Sequence, residues 1–158
     1  ALESVTAQKQ QEVSVTLPHD AMILNERQKD LPYGNCVGYF PYETVHYTKT
    51  FQLEKANCVY LEFEGVYMNC SVFVNDCLAG QHINGYTPFL LDISPFVRIG
   101  ENNLKVIVRN GVPSSRWYTG TGIYRDVNSV AMQPDKPKAD KGAYMGIRLL
   151  GQAHRKPL

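Results

Sequence analysis

Residues 115–127, Ser-Arg-Trp-Tyr-Thr-Gly-Thr-Gly-Ile-Tyr-Arg-Asp-Val, hold the densest set of side chains able to recognise a small polar molecule. Arg116 carries planar N–H donors that match vicinal hydroxyls. Trp117, the single tryptophan, offers a flat apolar face suited to the C–H side of a sugar ring. Gly120 and Gly122 relax the backbone, so that a ligand or a neighbouring segment can come close. The same residues also fit a plainer role, a tight loop running into a core strand with Trp117 plugging the edge of a β-sandwich. Residue chemistry alone leaves both readings open.

The remaining reactive side chains do not assemble into a catalytic signature. The sequence has no nucleophile elbow, phosphate-binding loop, zinc-protease helix or dinucleotide fingerprint. Glu62 and Glu64 stand two residues apart on one predicted strand face, near the ~5–9 Å that glycoside hydrolysis needs between its two carboxyl groups. A solvated polar face explains that pair better. His19, His46, His82 and His154 lack metal-ligand spacing and read as isolated loop or surface residues. Cys36, Cys58, Cys70 and Cys77 contain no C-x-x-C pair, which excludes a zinc ribbon or a thioredoxin-type motif. Cys58 and Cys70 lie in apolar stretches and read as free, reduced, structural thiols. No metal and no cofactor is expected.

The elements that must carry these side chains are strands. Between residues 13 and 130 the apolar pattern repeats every second residue, as half-buried strands require. Cys58–Glu64 places Val59, Leu61 and Phe63 on one face and the two glutamates on the other. Leu104, Val106 and Val108 face inward in a similar run, and Ser71–Val74, Phe89–Ile93, Tyr47–Leu53 and Ile123–Val130 complete the set. Asn75-Asp76 is a turn pair that tolerates positive φ. Ser94-Pro95 can start a single helical turn. Ala21–Leu31 could form a short amphipathic helix, but its apolar spacing is poor and a loop is the stronger reading. Residues 32–42 and 134–142 carry no strand pattern. Short strands between Gly, Asn and Pro predict an all-β, antiparallel sandwich.

Composition narrows the function. The 158 residues are 44% hydrophobic and 20% charged, with 16 basic against 15 acidic side chains, the balance of an ordinary globular domain. A formal charge of +1 without a basic stripe argues against nucleic acid as a partner. The apolar runs fall short of the ~18 residues of a membrane span, and residues 1–11 lack the apolar core of a signal peptide. A soluble protein is expected, with the cytoplasm slightly favoured and the compartment left open. Ten tyrosines among the aromatics lean toward recognition of a polar ligand.

Seven segments in order carry a family resemblance: Pro18-His19-Asp20, Gly38-Tyr39-Phe40, Tyr47-Thr48-Lys49-Thr50-Phe51, residues 61–66, Val72-Phe73-Val74-Asn75, residues 85–89 and residues 116–127. This succession resembles the N-terminal sugar-binding, jelly-roll domain of glycoside hydrolase family 2, and the Arg116–Arg125 form is most similar to the β-galactosidase members. The resemblance implies a galactose-binding-domain-like sandwich without catalytic residues of its own. It also implies a parent glycosidase, acting on a β-galactoside-like carbohydrate, whose acid/base and nucleophile glutamates lie on a downstream (β/α)8 barrel. The loops of this domain would form one wall of the active-site pocket. By position, Arg116 is the first choice for contacting sugar hydroxyls, followed by Trp117 and, from the 33–39 loop, Asn35.

The resemblance divides the chain into an extension over residues 1–12, a sugar-binding domain over 13–132 and a tail over 133–158 that does not match the family. The family's usual Val-Asn-Gly is Val74-Asn75-Asp76 here, its Tyr-Arg-Lys is Tyr47-Thr48-Lys49, and residues 41–45 lack its glycines. A free-standing carbohydrate-binding module, or a protein-interaction sandwich, are the competing readings. The expected partners are carbohydrate, the remaining domains of the parent and, through an exposed edge or patch, a second copy. The purified chain is expected to leave nitrophenyl glycosides intact, because no carboxylate pair is held on opposite sides of one bond. Turnover abolished by Glu62→Gln or Glu64→Gln would contradict this.

Overall fold

The computed structural model describes residues 12–31, 34–55, 58–111, 119–132 and 150–156. Nine strands run through them: β1 (Glu12–Thr16), β2 (Thr44–Leu53), β3 (Cys58–Phe63), β4 (Cys70–Val74), β5 (Cys77–His82), β6 (Phe89–Asp92), β7 (Gly100–Arg109), β8 (Val127–Met132) and β9 (Leu150–Lys156). All pairings are antiparallel. They build a six-stranded sheet in the order β1-β9-β2-β7-β4-β5 and a three-stranded sheet in the order β6-β3-β8. The described helical structure is limited to two short 3-10 turns, Ala21–Leu24 and Gly34–Cys36. The fold is the antiparallel β-sandwich that the alternation predicts.

The alternation also explains the core. Val59, Leu61 and Phe63 leave β3 on one face and are all buried. Across from them the larger sheet contributes Val45 and Tyr47 from β2, Cys70, Val72 and Val74 from β4, and Leu104, Val106 and Val108 from β7. Phe63 stacks on Phe89 of the neighbouring strand, centroids 4.8 Å apart and planes 7° from parallel. All four cysteines are free, and burial pushes the Cys70 thiol up to about 11, so it stays neutral at ordinary pH.

Four strands differ from the sequence-based expectation, and β1 is one that no predicted run covered. β5 carries no apolar alternation, and as an edge strand it is half exposed, so little burial writes itself into its sequence. β9 lies inside the tail that matches no family segment. Its polar residues pair with β1 on one side and β2 on the other, so ladder hydrogen bonds define it. The last predicted strand starts late, at Val127, because residues 119–126 are drawn into loop contacts. Of Ala21–Leu31, only the first four residues turn.

Register sorts the connections into two ends. Thr44 pairs with Arg109, Cys70 with both Val108 and His82, and Phe63 with both Phe89 and Val127. The β1–β2, β3–β4, β5–β6 and β7–β8 connections therefore emerge together. The β4–β5 turn lies at the opposite end. Asn75 and Asp76 both take positive φ, 50° and 64°, in the hairpin turn between β4 and β5. Asn102, buried at the start of β7, takes the Arg98 N–H and donates to the Arg98 and Gly100 carbonyls. Phe63→Ala should cost about 3–5 kcal/mol in urea unfolding, whereas Leu78→Ala on exposed β5 should stay within about 0.5 kcal/mol. Equal losses at the two positions would contradict this core.

Candidate functional site

The crowded end of the sandwich is built from polar side chains that continue the inward-facing rows of the central strands. On β2 the row Tyr47, Val45 runs one step further to Glu43, which is buried. On β7 the row Leu104, Val106, Val108 runs on to Asn110, only 5% exposed. These two residues meet through the backbone, where Asn110 N–H donates to the Glu43 carbonyl at 3.3 Å. The Glu43 carboxylate accepts from Asn25 Nδ2. Asn110 Nδ2 donates to the Gly120 carbonyl and to Thr121 Oγ1, both at 2.9 Å.

A second set of contacts comes from the segment after β1. His19 N–H donates to the Ile123 carbonyl and Ala21 N–H to the Thr121 carbonyl, each at 2.8 Å. Asp20 caps the first 3-10 turn by accepting from Met22 N–H at 3.0 Å, and the same oxygen accepts from Thr121 N–H at 2.9 Å. His19 Nδ1 lies 2.9 Å from the Tyr47 hydroxyl, with the rings edge to face. Gly122 is required here. Its φ of +139° is open mainly to glycine, and a Cβ would overlap the Tyr47 hydroxyl and the His19 carbonyl. Its backbone forms a two-bond bridge with Tyr67 of the β3–β4 connection.

The third contributor is the long β1–β2 connection. Asn35 sits in the second 3-10 turn with an exposed side chain. The Tyr39 ring lies against Gly34, 40% exposed, in a residue whose φ is +65°. Gln28 N–H donates to the Tyr39 carbonyl, tying this loop back to its own start. Around the corner, Tyr86 is 52% exposed and packs edge to face on Tyr67, while the Tyr124 hydroxyl donates to the Gly85 carbonyl. These connections thus carry the exposed rings of Tyr39 and Tyr86 beside the buried polar residues Glu43 and Asn110.

Of the residues singled out by sequence, Asn35 is exposed at this end. Arg116 and Trp117 lie outside the described residues, but both stems of their loop belong to the end, Asn110 leaving β7 and Thr119–Gly120 returning. Glu62 and Glu64 are half-buried on β3 and just beyond it, where Glu64 accepts from Asn128 at 3.4 Å. Sequence reasoning assigned no role to Asp20, Glu43 or Asn110. Strand parity could have found the last two, since each is a polar residue in an otherwise apolar inward row.

Residues 23–134 match the family model for the glycosyl hydrolases family 2, sugar binding domain. The chain belongs to this family. It is 41% identical over 116 residues to the β-galactosidase BoGH2A of Bacteroides ovatus, covering 70% of this chain and 14% of that protein. It is 32% identical over 108 residues to a β-glucuronidase of Formosa agariphila, covering 58% of this chain and 11% of that protein. The crystal structure of a β-glycosidase from Bacteroides vulgatus superposes with a TM-score of 0.66 at 35% identity, over 75% of this chain and 16% of that one. The chain thus spans about one seventh of the length of such relatives. Among the described residues, no helix is long and apolar enough to cross a membrane.

Gly122→Ala should destabilise the chain by about 1–3 kcal/mol through its backbone alone, and by more where the new methyl meets Tyr47 and His19. A urea midpoint equal to wild type would show that this junction is not closely packed.

Proposed function

We propose that this chain is the non-catalytic, sugar-facing domain of a β-galactosidase-like glycoside hydrolase, and that it supplies one wall of the active-site pocket. In this reading Arg116 donates to sugar hydroxyls, Trp117 covers an apolar sugar face and Asn35 adds a polar contact from the neighbouring loop. The acid/base and nucleophile lie elsewhere in the whole protein. The observation that carries the reading is the continuous line of hydrogen bonds Asn25–Glu43–Asn110–Gly120, which joins the Asn35-bearing connection to both stems of the Arg116 loop. Two segments far apart in sequence are thereby fixed on one surface, as a polyhydroxylated ligand requires.

The proposed unit covers residues 13–132, with residues 1–12 as an extension and 133–158 as a tail whose strand β9 adds to the larger sheet. Its partners are a β-galactoside-like carbohydrate and the other domains of the parent, and the exposed β5 edge leaves room for a second copy. The chain acts in a soluble protein and uses neither nucleic acid nor a membrane. The exposed Tyr39 and Tyr86 support a second reading, a free-standing carbohydrate-binding module. Glycan-array binding by the chain alone would favour that alternative, and silence there favours a wall that needs the rest of the enzyme.

The direct test uses the whole enzyme. Arg116→Ala should weaken sugar recognition by roughly 1.5–3 kcal/mol, read as a loss in kcat/KM, while changing the stability of this domain by less than about 1 kcal/mol. Unfolding of the domain with full activity in the remaining folded fraction would make Arg116 scaffolding instead.

A further inference from the structure

We infer that Asp20 is a positioning residue for the sugar-facing end, acting through one carboxylate oxygen that clamps the return stem of the β7–β8 connection. The inference rests on the proposed sugar-facing role for its functional meaning, while the clamp stands on geometry alone. Asp20 and Thr121 are 101 residues apart, and their 2.9 Å bond is flanked by two backbone bonds, His19 to Ile123 and Ala21 to Thr121. Residues 19–21 thus dock on 121–123 like a short piece of sheet. Asp20 grips the Thr121 N–H, while Asn110 grips the Gly120 carbonyl and the Thr121 hydroxyl. The stem is held through its donor by the cap of the first 3-10 turn and through its acceptor by the residue that ends β7.

Gly120 shows how close the carboxylate comes. Its φ is +70°, and a Cβ there would stand 2.9 Å from Asp20 Oδ2. The glycine before Thr121 therefore does two things, taking a left-handed turn and leaving room for the clamp. The oxygen that holds Thr121 also caps the 3-10 turn Ala21–Leu24. Asp20 consequently couples the start of the β1–β2 connection, which later carries Asn35, to the stem of the connection that carries Arg116. Local capping alone would not need the long-range bond.

Two substitutions separate capping from clamping. Asp20→Ser keeps a cap for Met22 N–H but is one atom shorter and cannot also reach Thr121. Asp20→Asn keeps the acceptor and removes the charge. In the chain, amide hydrogen exchange reads the stem directly, and fluorescence of Trp117, the only tryptophan, reads the loop. Asp20→Ser is expected to speed exchange in residues 119–123 by about tenfold and to raise acrylamide quenching of Trp117 by about twofold. Exchange in β2 and β7 should stay at the wild-type rate, and Asp20→Asn should restore both readouts. The inference is overturned if Asp20→Ser leaves either readout unchanged, if exchange rises equally throughout β2 and β7, or if Asp20→Asn fails to rescue. A β-galactoside titration of the whole enzyme tests the sugar-facing reading separately, and its failure would leave the clamp standing.

Discussion

The ten-residue antiparallel ladder between β2 and β7, from Thr44↔Arg109 to Leu53↔Gly100, is the constraint on which the rest of the structure depends. Both strands lie in the middle of the larger sheet, so each supplies an inward row to the core and a pair of stems to the two ends. Because side chains alternate every two residues, sliding β7 by one position on β2 would turn Leu104, Val106 and Val108 toward the outside. Burial of those side chains therefore holds the register. Register in turn sets Glu43 beside Asn110.

The two ends of β7 are closed by related side chains. Its inward row reads Asn102, Leu104, Val106, Val108, Asn110, apolar in the middle and amide at both termini. Asn102 closes the turn end with four bonds, accepting from Arg98 N–H and Asn75 Nδ2 and donating to the Arg98 and Gly100 carbonyls, as a buried amide requires. Asn110 closes the opposite end by reaching across to residues 119–121 through Nδ2, while its buried Oδ1 has no hydrogen-bond partner among the described residues. The first ties the start of β7 to the β4–β5 hairpin turn. The second ties the end of β7 to residues 119–121, which lead back toward β8.

The sandwich was legible in the sequence because burial leaves a period-two trace wherever a strand has one wet and one dry face. Val59, Leu61 and Phe63 against Glu62 and Glu64 is such a trace, and so is the β7 row. β5 and β9 left none. One is a half-exposed edge and the other is a polar strand held by its ladder bonds. The functional end was legible in part. Arg116, Trp117 and Asn35 come from residue type and family resemblance; Asn35 is exposed, and the other two lie outside the described residues. Asp20 escaped notice because its decisive contact is with a residue 101 positions away, and no local pattern encodes such a pairing.

The chain belongs to the sugar-binding domain of glycosyl hydrolases family 2, and the role proposed for this end is a wall that meets sugar while the chemistry is done elsewhere. The most direct measurement is a crystal structure of the whole enzyme with a slowly cleaved β-galactoside bound. A sugar hydroxyl within hydrogen-bond distance, about 3 Å, of Arg116 or Asn35 is the expected result. A sugar seated in the enzyme's cleft with no atom in contact with residues 17–43 or 110–126 would contradict the assignment.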